Sequence, residues 1–397
     1  MALADNMKQE LAGIKPSEIL AFNEEISQIP DVIKLTLGEP DFNTPEHVKS
    51  AAIKSIEENH SHYAPSSGIP ALRKAAADFL ANKYNAHYDP SSEIIVTVGA
   101  TGGIYSALTA ILNPGDEVII PVPIFPLYIP ITSLNGATPV LMDTTADNFL
   151  LTPEKLDAEL TKRDGKVKAV VMNFPTNPTG ATYTREELTA VADVLRQHDV
   201  FVISDEIYSE LVFDQEHVSL GELLPEQTIL LNGVSKSHAM TGYRVGILAA
   251  PKAIAQKIAM VHQFTVTSAT TSSQEAALEA FQNGPDDGLV MKAEYEKRRD
   301  FVVAGLREAG FELETPRGTF YAFAKIPAAL GTDSFAVCRQ LAKEAKVAVI
   351  PGASFPAGEG HIRLSFAASM TDLEEAISRI KAFMATQPQT VEMMEAN

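Results

Sequence analysis

The chain has 397 residues, 45% hydrophobic and 21% charged, an ordinary globular composition at a length that calls for more than one core. Its formal charge of −19, from 32 basic and 51 acidic residues, argues against nucleic acid and anionic membranes as partners and requires any anionic ligand to be held by locally placed arginine, lysine or helix N-termini. The single cysteine, Cys338, excludes an internal disulfide or a cysteine metal cluster. No apolar run is long enough for a membrane span and no basic-then-apolar leader opens the chain, so a cytoplasmic location is expected.

In chain order, residues 1–43 are too few to fold alone and are expected to form an arm that joins the C-terminal unit. Residues 44–283 alternate two periodicities. The segments 45–59 and 70–84 have helical spacing. The runs 93–99, 116–121, 168–174, 200–206, 228–234 and 244–250 are short, mostly apolar and flanked by turns. Such runs predict buried strands of a largely parallel sheet with helices on both faces. The pattern changes over 284–397. A long charged helix at about 286–308 leads to strand-like runs at 311–315, 320–326, 346–351 and 361–367, a helix containing Cys338 and a final helix, which suggests a smaller α+β unit. The tail from Gln387 to Asn397 reads as frayed. No internal repeat is visible.

Ligands of open α/β sheets gather at the carboxyl ends of strands, and the informative residues fall there. Gly99, Ala100 and Thr101 lie between a strand and a helix expected to begin near Gly102. They suit an anion site made of N–H groups and a hydroxyl, or equally a tight turn. The sequence GATGGI is not the G-x-G-x-x-G of a dinucleotide site, and no acid follows at the required spacing. In NFPTNPTG (173–180), two prolines and a glycine fix a loop that aims Asn177, although Asn-Pro is also a common turn dipeptide. Asp205 ends an apolar strand, where an acid needs a cation or donor unless it caps a helix, and Tyr208 follows three residues later.

The richest segment is Asn232 to Gly246. There Ser235-Lys236 follows an apolar run, and Arg244 lies between Gly242 and Gly246. A lysine with an ordinary pKa near ~10.4 becomes a covalent catalyst only when desolvated or set beside a cation. This arrangement suits a Schiff-base lysine next to a phosphate site, although a lysine and an arginine in a Gly/Ser loop are also common solvated surface residues. Tyr321 and Lys325 have the spacing of a dehydrogenase pair, but along a strand they lie roughly 13 Å apart, too far to act together. Arg363 sits in a strand-like run and wants a bidentate anion or a salt bridge. His60 and His62 lack companions for a metal site, and none is expected. His238 receives no role.

Together the segments LGEPDF, Y-x-P-x-x-G, GAT, NPTG, SDE-x-Y, SK, G-x-R-x-G and IRLSF occur in one order over about residues 15–385. This order resembles the class I and II aminotransferases, pyridoxal-phosphate enzymes of fold type I, and most closely the bacterial branch with aromatic-amino-acid and N-acetyl-diaminopimelate aminotransferases. The resemblance implies a mostly parallel seven-stranded sheet between helices and a homodimer with composite sites. It implies pyridoxal 5'-phosphate bound to Lys236, with Asp205 on the ring nitrogen and Tyr208 and Asn177 on the ring hydroxyl. Ala100, Thr101, Ser235 and Arg244 would hold the phosphate, and Tyr63 would reach the phosphate of the other subunit. Phe125 would stack on the ring, where the family more often has Tyr or Trp. Arg363, with Gly38 and Asn177, would bind the substrate carboxylate.

The implied reaction moves an amino group from an amino acid, aromatic or large apolar ones favoured, to a 2-oxo acid, with 2-oxoglutarate expected, by a two-step exchange. N-acetyl-diaminopimelate transamination and carbon–sulfur β-elimination stay open beside it. A pyridoxal-binding regulator would need a basic DNA-binding segment that the sequence does not show, and a nicotinamide oxidoreductase fails on the spacings above.

Overall fold

The computed structural model describes residues 3–388. Its twelve strands are β1 (Ile33–Lys34), β2 (Ile94–Val98), β3 (Glu117–Val122), β4 (Thr138–Asp143), β5 (Val167–Asn173), β6 (Phe201–Asp205), β7 (Thr228–Asn232), β8 (Val245–Ala249), β9 (Tyr321–Lys325), β10 (Val347–Ala348), β11 (Ile350–Pro351) and β12 (His361–Ser365). Seven of them form one sheet in the order β2-β8-β7-β6-β5-β3-β4. All its pairings are parallel except those of β8, which runs antiparallel to both β2 and β7.

Apolar side chains alternate between the two faces of this sheet, as a two-sided burial demands. Ile95, Val118, Ile120, Val171, Ile203 and Leu231 enter one core, with helix Lys252–Val266 behind them. Val96, Leu230 and Ile247 enter a second core. Ile119, Val170, Met172 and Val202 enter a third, backed by helix Arg185–Leu195. Each fully buried Val, Leu or Ile contributes about 1.5–3 kcal/mol, which explains why these strands read as continuous apolar runs.

The helices that bear on the site are α1 (Glu18–Ile26), α2 (Glu46–Glu57), α3 (Pro70–Tyr84), α4 (Gly99–Ile111) and α5 (Tyr128–Leu134). Helix α4 starts at Gly99, three residues before the expected start. Gly99 takes φ +64° and turns the chain directly from β2 into the helix. The strand of the seven-stranded sheet absent from the sequence-based set is β4. It lies at the sheet edge, leaves Thr138 and Leu141 exposed and contains Pro139, so it lacks the apolar signature of its neighbours.

A fourth core joins Phe22, Ile26 and Leu35 to residues between Met291 and Phe383, so the N-terminal arm packs on the C-terminal part. The three-stranded sheet β11-β12-β9 lies there, and β1 pairs in parallel with β10. The run 346–351 is therefore not one strand, because β10 and β11 serve different sheets. Residues 311–315 form no strand either: only Glu312 bridges to Lys325. The frayed tail expected from Gln387 lies outside the described residues beyond Pro388.

Candidate active site

Register brings the candidate residues together. Asn173 at the end of β5 lies opposite Asp205 at the end of β6, and Asp205 lies opposite Leu231 of β7. The carboxyl ends of three strands thus stop at one level. Because β8 is antiparallel, its start lies at the same level, with Val245 opposite Val98. Arg244, just before β8, therefore faces Gly99, just after β2, and Gly99 N–H donates to Arg244 O at 3.0 Å. A Cβ on Gly99 would come within 2.5 Å of Arg244 Nη2, and one on Gly246 within 2.5 Å of the Gly99 carbonyl carbon. Both glycines are required by this close approach.

The result is a cavity of about 390 Å³. Ala100, Thr101, Phe125, Asn177, Asp205, Tyr208, Ser235, Lys236, Arg244, Gly38 and Arg363 all line it. Tyr63 does not; it stands 88% exposed on the surface. The cavity also includes Asn173 and Tyr128, which the sequence did not single out, Tyr321, which it considered only as a partner of Lys325, and Ile19 and Leu20 of α1.

Lys236 sits in a single helical turn, Val234–Ser237, directly after β7. Its Nζ donates to Gly38 O at 2.5 Å and lies 5.6 Å from the Tyr208 ring centre. Burial pushes the amine down to about 8, and Arg244 and Arg363 push the same way, while Glu39 and Asp205 oppose them. A neutral, nucleophilic amine is therefore accessible near physiological pH.

Asp205 is buried and caps no helix, because turns follow it from Glu206 to Leu211. Its Oδ1 accepts from Ile207 N–H at 3.2 Å and its Oδ2 accepts from the Tyr128 hydroxyl at 2.6 Å. Burial pushes the carboxyl up to about 6, held back by these two bonds. The next residue does a different job. Glu206 Oε1 accepts from Ser204 Oγ, Ser219 Oγ and Leu220 N–H, and Oε2 meets His217 Nε2 at 2.7 Å. One acid of the pair faces the cavity and the other ties β6 to the framework.

The loop after β5 is fixed at both ends. Thr176 N–H donates to Ala181 O, Gly180 N–H to Thr176 O, and Arg317 and Gly318 N–H both donate to Gly180 O. Asn177 Oδ1 in this loop accepts from Arg363 Nη1 at 3.0 Å. Arg363 Nη2 donates to Thr36 O at 2.7 Å, so neither acceptor is a carboxylate and the salt-bridge alternative does not hold. The guanidinium carbon lies 4.4 Å from the centre of the Tyr321 ring. Its Nε is buried without a partner. A buried cation with an unpartnered donor at a cavity wall has the chemistry to receive an anion.

Tyr208 and Tyr321 hydroxyls meet at 3.1 Å, and burial raises both phenols above their ordinary value. Lys325 is on the surface, bound to Glu312, so Tyr321 and Lys325 form no pair. His238 lies outside the cavity lining. Its Nε2 donates to Gly284 O at 2.7 Å and its Nδ1 meets Ser237 Oγ at 2.7 Å. Burial lowers its pKa, so it acts as a neutral tie beneath the lysine turn.

The donor set also fits a phosphorylated pyridine aldehyde. The amine of lowered pKa would suit its aldehyde and the buried carboxylate its ring nitrogen. The start of α4, Ser235 and Arg244 line the same cavity and would suit its phosphate.

Comparison with known proteins gives one consistent picture. The family model "Aminotransferase class I and II" matches residues 30–380. The chain is 48% identical over 372 residues to a probable N-acetyl-LL-diaminopimelate aminotransferase of Bacillus subtilis (strain 168), covering 94% of each protein. It is 40% identical over 395 residues to an aspartate aminotransferase of Geobacillus stearothermophilus, covering 95% of this chain and 98% of that one. Among solved structures, an aromatic aminotransferase from Pyrococcus horikoshii OT3 superposes with a TM-score of 0.86 at 37% identity, covering 92% of this chain and 98% of the other.

Proposed function

Since the chain belongs to the class I and II aminotransferases, we propose that it uses pyridoxal 5'-phosphate to move an α-amino group from aromatic or large apolar amino acids to a 2-oxo acid, 2-oxoglutarate being the expected acceptor. The observation that carries this reading is the convergence of Lys236 Nζ, the Asp205 carboxylate and the Arg363 guanidinium on one cavity. When bound, the cofactor supplies an aldehyde that links to amines and a protonated ring that withdraws electrons from the substrate Cα.

The remaining steps are the work of this chain. Lys236 would hold the cofactor through its Nζ, and with that amine free and neutral it would be the base that holds the proton of the substrate Cα. Asp205 pairs with the ring nitrogen and keeps it protonated. Tyr208 and Asn177 bind the ring hydroxyl, and Phe125 covers a ring face. Ala100, Thr101, Ser235 and Arg244 hold the phosphate. Arg363, with Gly38 and Asn177, holds the substrate carboxylate through its planar fork.

The apolar part of the lining favours apolar donors: Ile19, Leu20, Leu37, Ile104 and Leu127 all contribute to the cavity wall. The cations this chain contributes to the lining are Lys236, Arg244 and Arg363, and each already has a task. Among the described residues, the cavity lining offers no further cation for a second substrate carboxylate. An acylated diaminopimelate is the second reading, favoured by the 48% identical relative whose name specifies that substrate.

We further propose a homodimer in which Tyr63 completes the partner's phosphate site. Tyr63 at 88% and Phe264 at 89% exposure are large apolar surfaces that a second copy would cover. We divide the chain into an arm (1–43), a cofactor-binding unit (44–283) and a smaller unit (284–397), and place it in the cytoplasm.

A panel of amino donors with 2-oxoglutarate tests the substrate assignment. Phenylalanine and tyrosine are expected to react faster than aspartate. A panel won by aspartate, or without any aromatic donor, contradicts the aromatic reading; preference for the acylated diaminopimelate selects the second. Pyruvate and ammonia from cystathionine without an acceptor would indicate β-elimination instead.

A further inference from the structure

Tyr128 has no task in the scheme above, yet it is the side chain that donates to the Asp205 carboxylate. It opens α5, is 1% exposed and donates to Asp205 Oδ2 at 2.6 Å. Its backbone is anchored as well, since Tyr128 O accepts from Thr132 Oγ1 at 2.8 Å. Its ring belongs to the core that holds Ile104, Val122, Ile124 and Ile203, so the phenol cannot swing to solvent. Burial raises this phenol well above its ordinary value, which keeps it a donor throughout the working pH range.

The titratable and charged groups that face Asp205 are few. They are Tyr128 from α5, the neighbouring Glu206, Tyr208 from the same turn and Lys236 from the turn after β7. Burial and Glu206 favour the protonated acid. Tyr128, Ile207 N–H and Lys236 favour the ion, and Tyr128 is the strongest of the three.

We propose that Tyr128 is a positioning residue for Asp205: it fixes Oδ2 at the cavity wall and keeps the carboxylate ionised, so that the pairing with the cofactor's ring nitrogen proposed above can form. Each carboxylate oxygen holds a protein donor and retains lone-pair capacity for the ring N–H. The two donors, on α5 and on the turn after β6, leave the carboxylate a single orientation.

The test reads Asp205 in the apoprotein, without cofactor or turnover. The 13Cγ resonance of Asp205, assigned by its loss in Asp205→Asn, is followed against pH in wild type, in Tyr128→Phe and in protein with 3-fluorotyrosine at position 128. The wild-type midpoint is expected near 6. Tyr128→Phe, which removes a donor to a charged group, is expected to raise it by about one to two pH units. The fluorinated phenol is a stronger donor and is expected to lower it. A Phe midpoint within about 0.3 pH units of wild type overturns the proposal. Should the Phe variant not fold, an unmoved or raised midpoint in the fluorinated protein does so. Turnover of Asp205→Asn separates the two layers. Near-normal turnover there refutes the ring pairing, whatever the Tyr128 midpoints show.

Discussion

Replacing Arg363 probes the substrate end of the site with a magnitude set by its geometry. A guanidinium has five N–H donors. Two are engaged in this structure, by Asn177 Oδ1 and Thr36 O, and Nε is buried without a partner. Donors therefore remain for a substrate carboxylate, enough for two bonds. Charge-assisted bonds are each worth about 1.5–3 kcal/mol, so Arg363→Ala is expected to lose about 3–6 kcal/mol of transition-state binding. At about 1.4 kcal/mol per tenfold, kcat/KM falls by roughly two to four orders of magnitude. Arg363→Lys keeps a charge but loses the fork, and is expected to recover only part of that loss. The α-carboxylate is common to every donor, so the loss is expected to be equal for phenylalanine, tyrosine and aspartate. Steady-state kinetics with 2-oxoglutarate as acceptor measures it. A loss below about tenfold, or one confined to a single donor, would refute the assignment of Arg363 to the carboxylate.

Three further outcomes follow from the geometry. Capture of pyridoxal phosphate by the apoprotein, read by its visible absorbance, is expected to accelerate with pH and level off above about 8, where the Lys236 amine is neutral. Because that pKa lies below the ~10.4 of an unfolded chain, the folded state binds fewer protons between the two values, so the Lys236 contribution to stability rises with pH across that window. A capture rate flat through that pH would contradict the depressed amine. His217→Ala strips Glu206 Oε2 of its hydrogen-bond partner inside the framework and is expected to lower unfolding free energy by about 1.5–3 kcal/mol in urea titration; less than about 0.5 kcal/mol would show the contact to be dispensable. Sedimentation is expected to give a dimer at micromolar concentration, and a persistent monomer with full activity would remove Tyr63 from the site.

Much of this arrangement was legible in the sequence because its physical causes are local. Lys236, Asp205 and Asn177 each follow an apolar run ended by a turn, so strand ends and the residues beyond them could be located. Of the two glycines flanking Arg244, Gly246 makes a close approach, to the Gly99 backbone, while Gly242 has open space around it. Other features depend on distant partners. Tyr128 lies among prolines in PVPIFPLYIP and reads as a connector; its partner is 77 positions away. Strand β4 was invisible because an edge strand with Pro139 and exposed Leu141 has no apolar run to betray it. The divided fate of 346–351 depends on β1 and β12, which no local pattern reveals.

The central claim is that Lys236 carries the cofactor. Purified protein loaded with pyridoxal phosphate, reduced with borohydride and digested should yield one labelled peptide, modified at Lys236, and Lys236→Ala should lose both the label and nearly all turnover. A label on another lysine, or an active Lys236→Ala protein, would contradict the account.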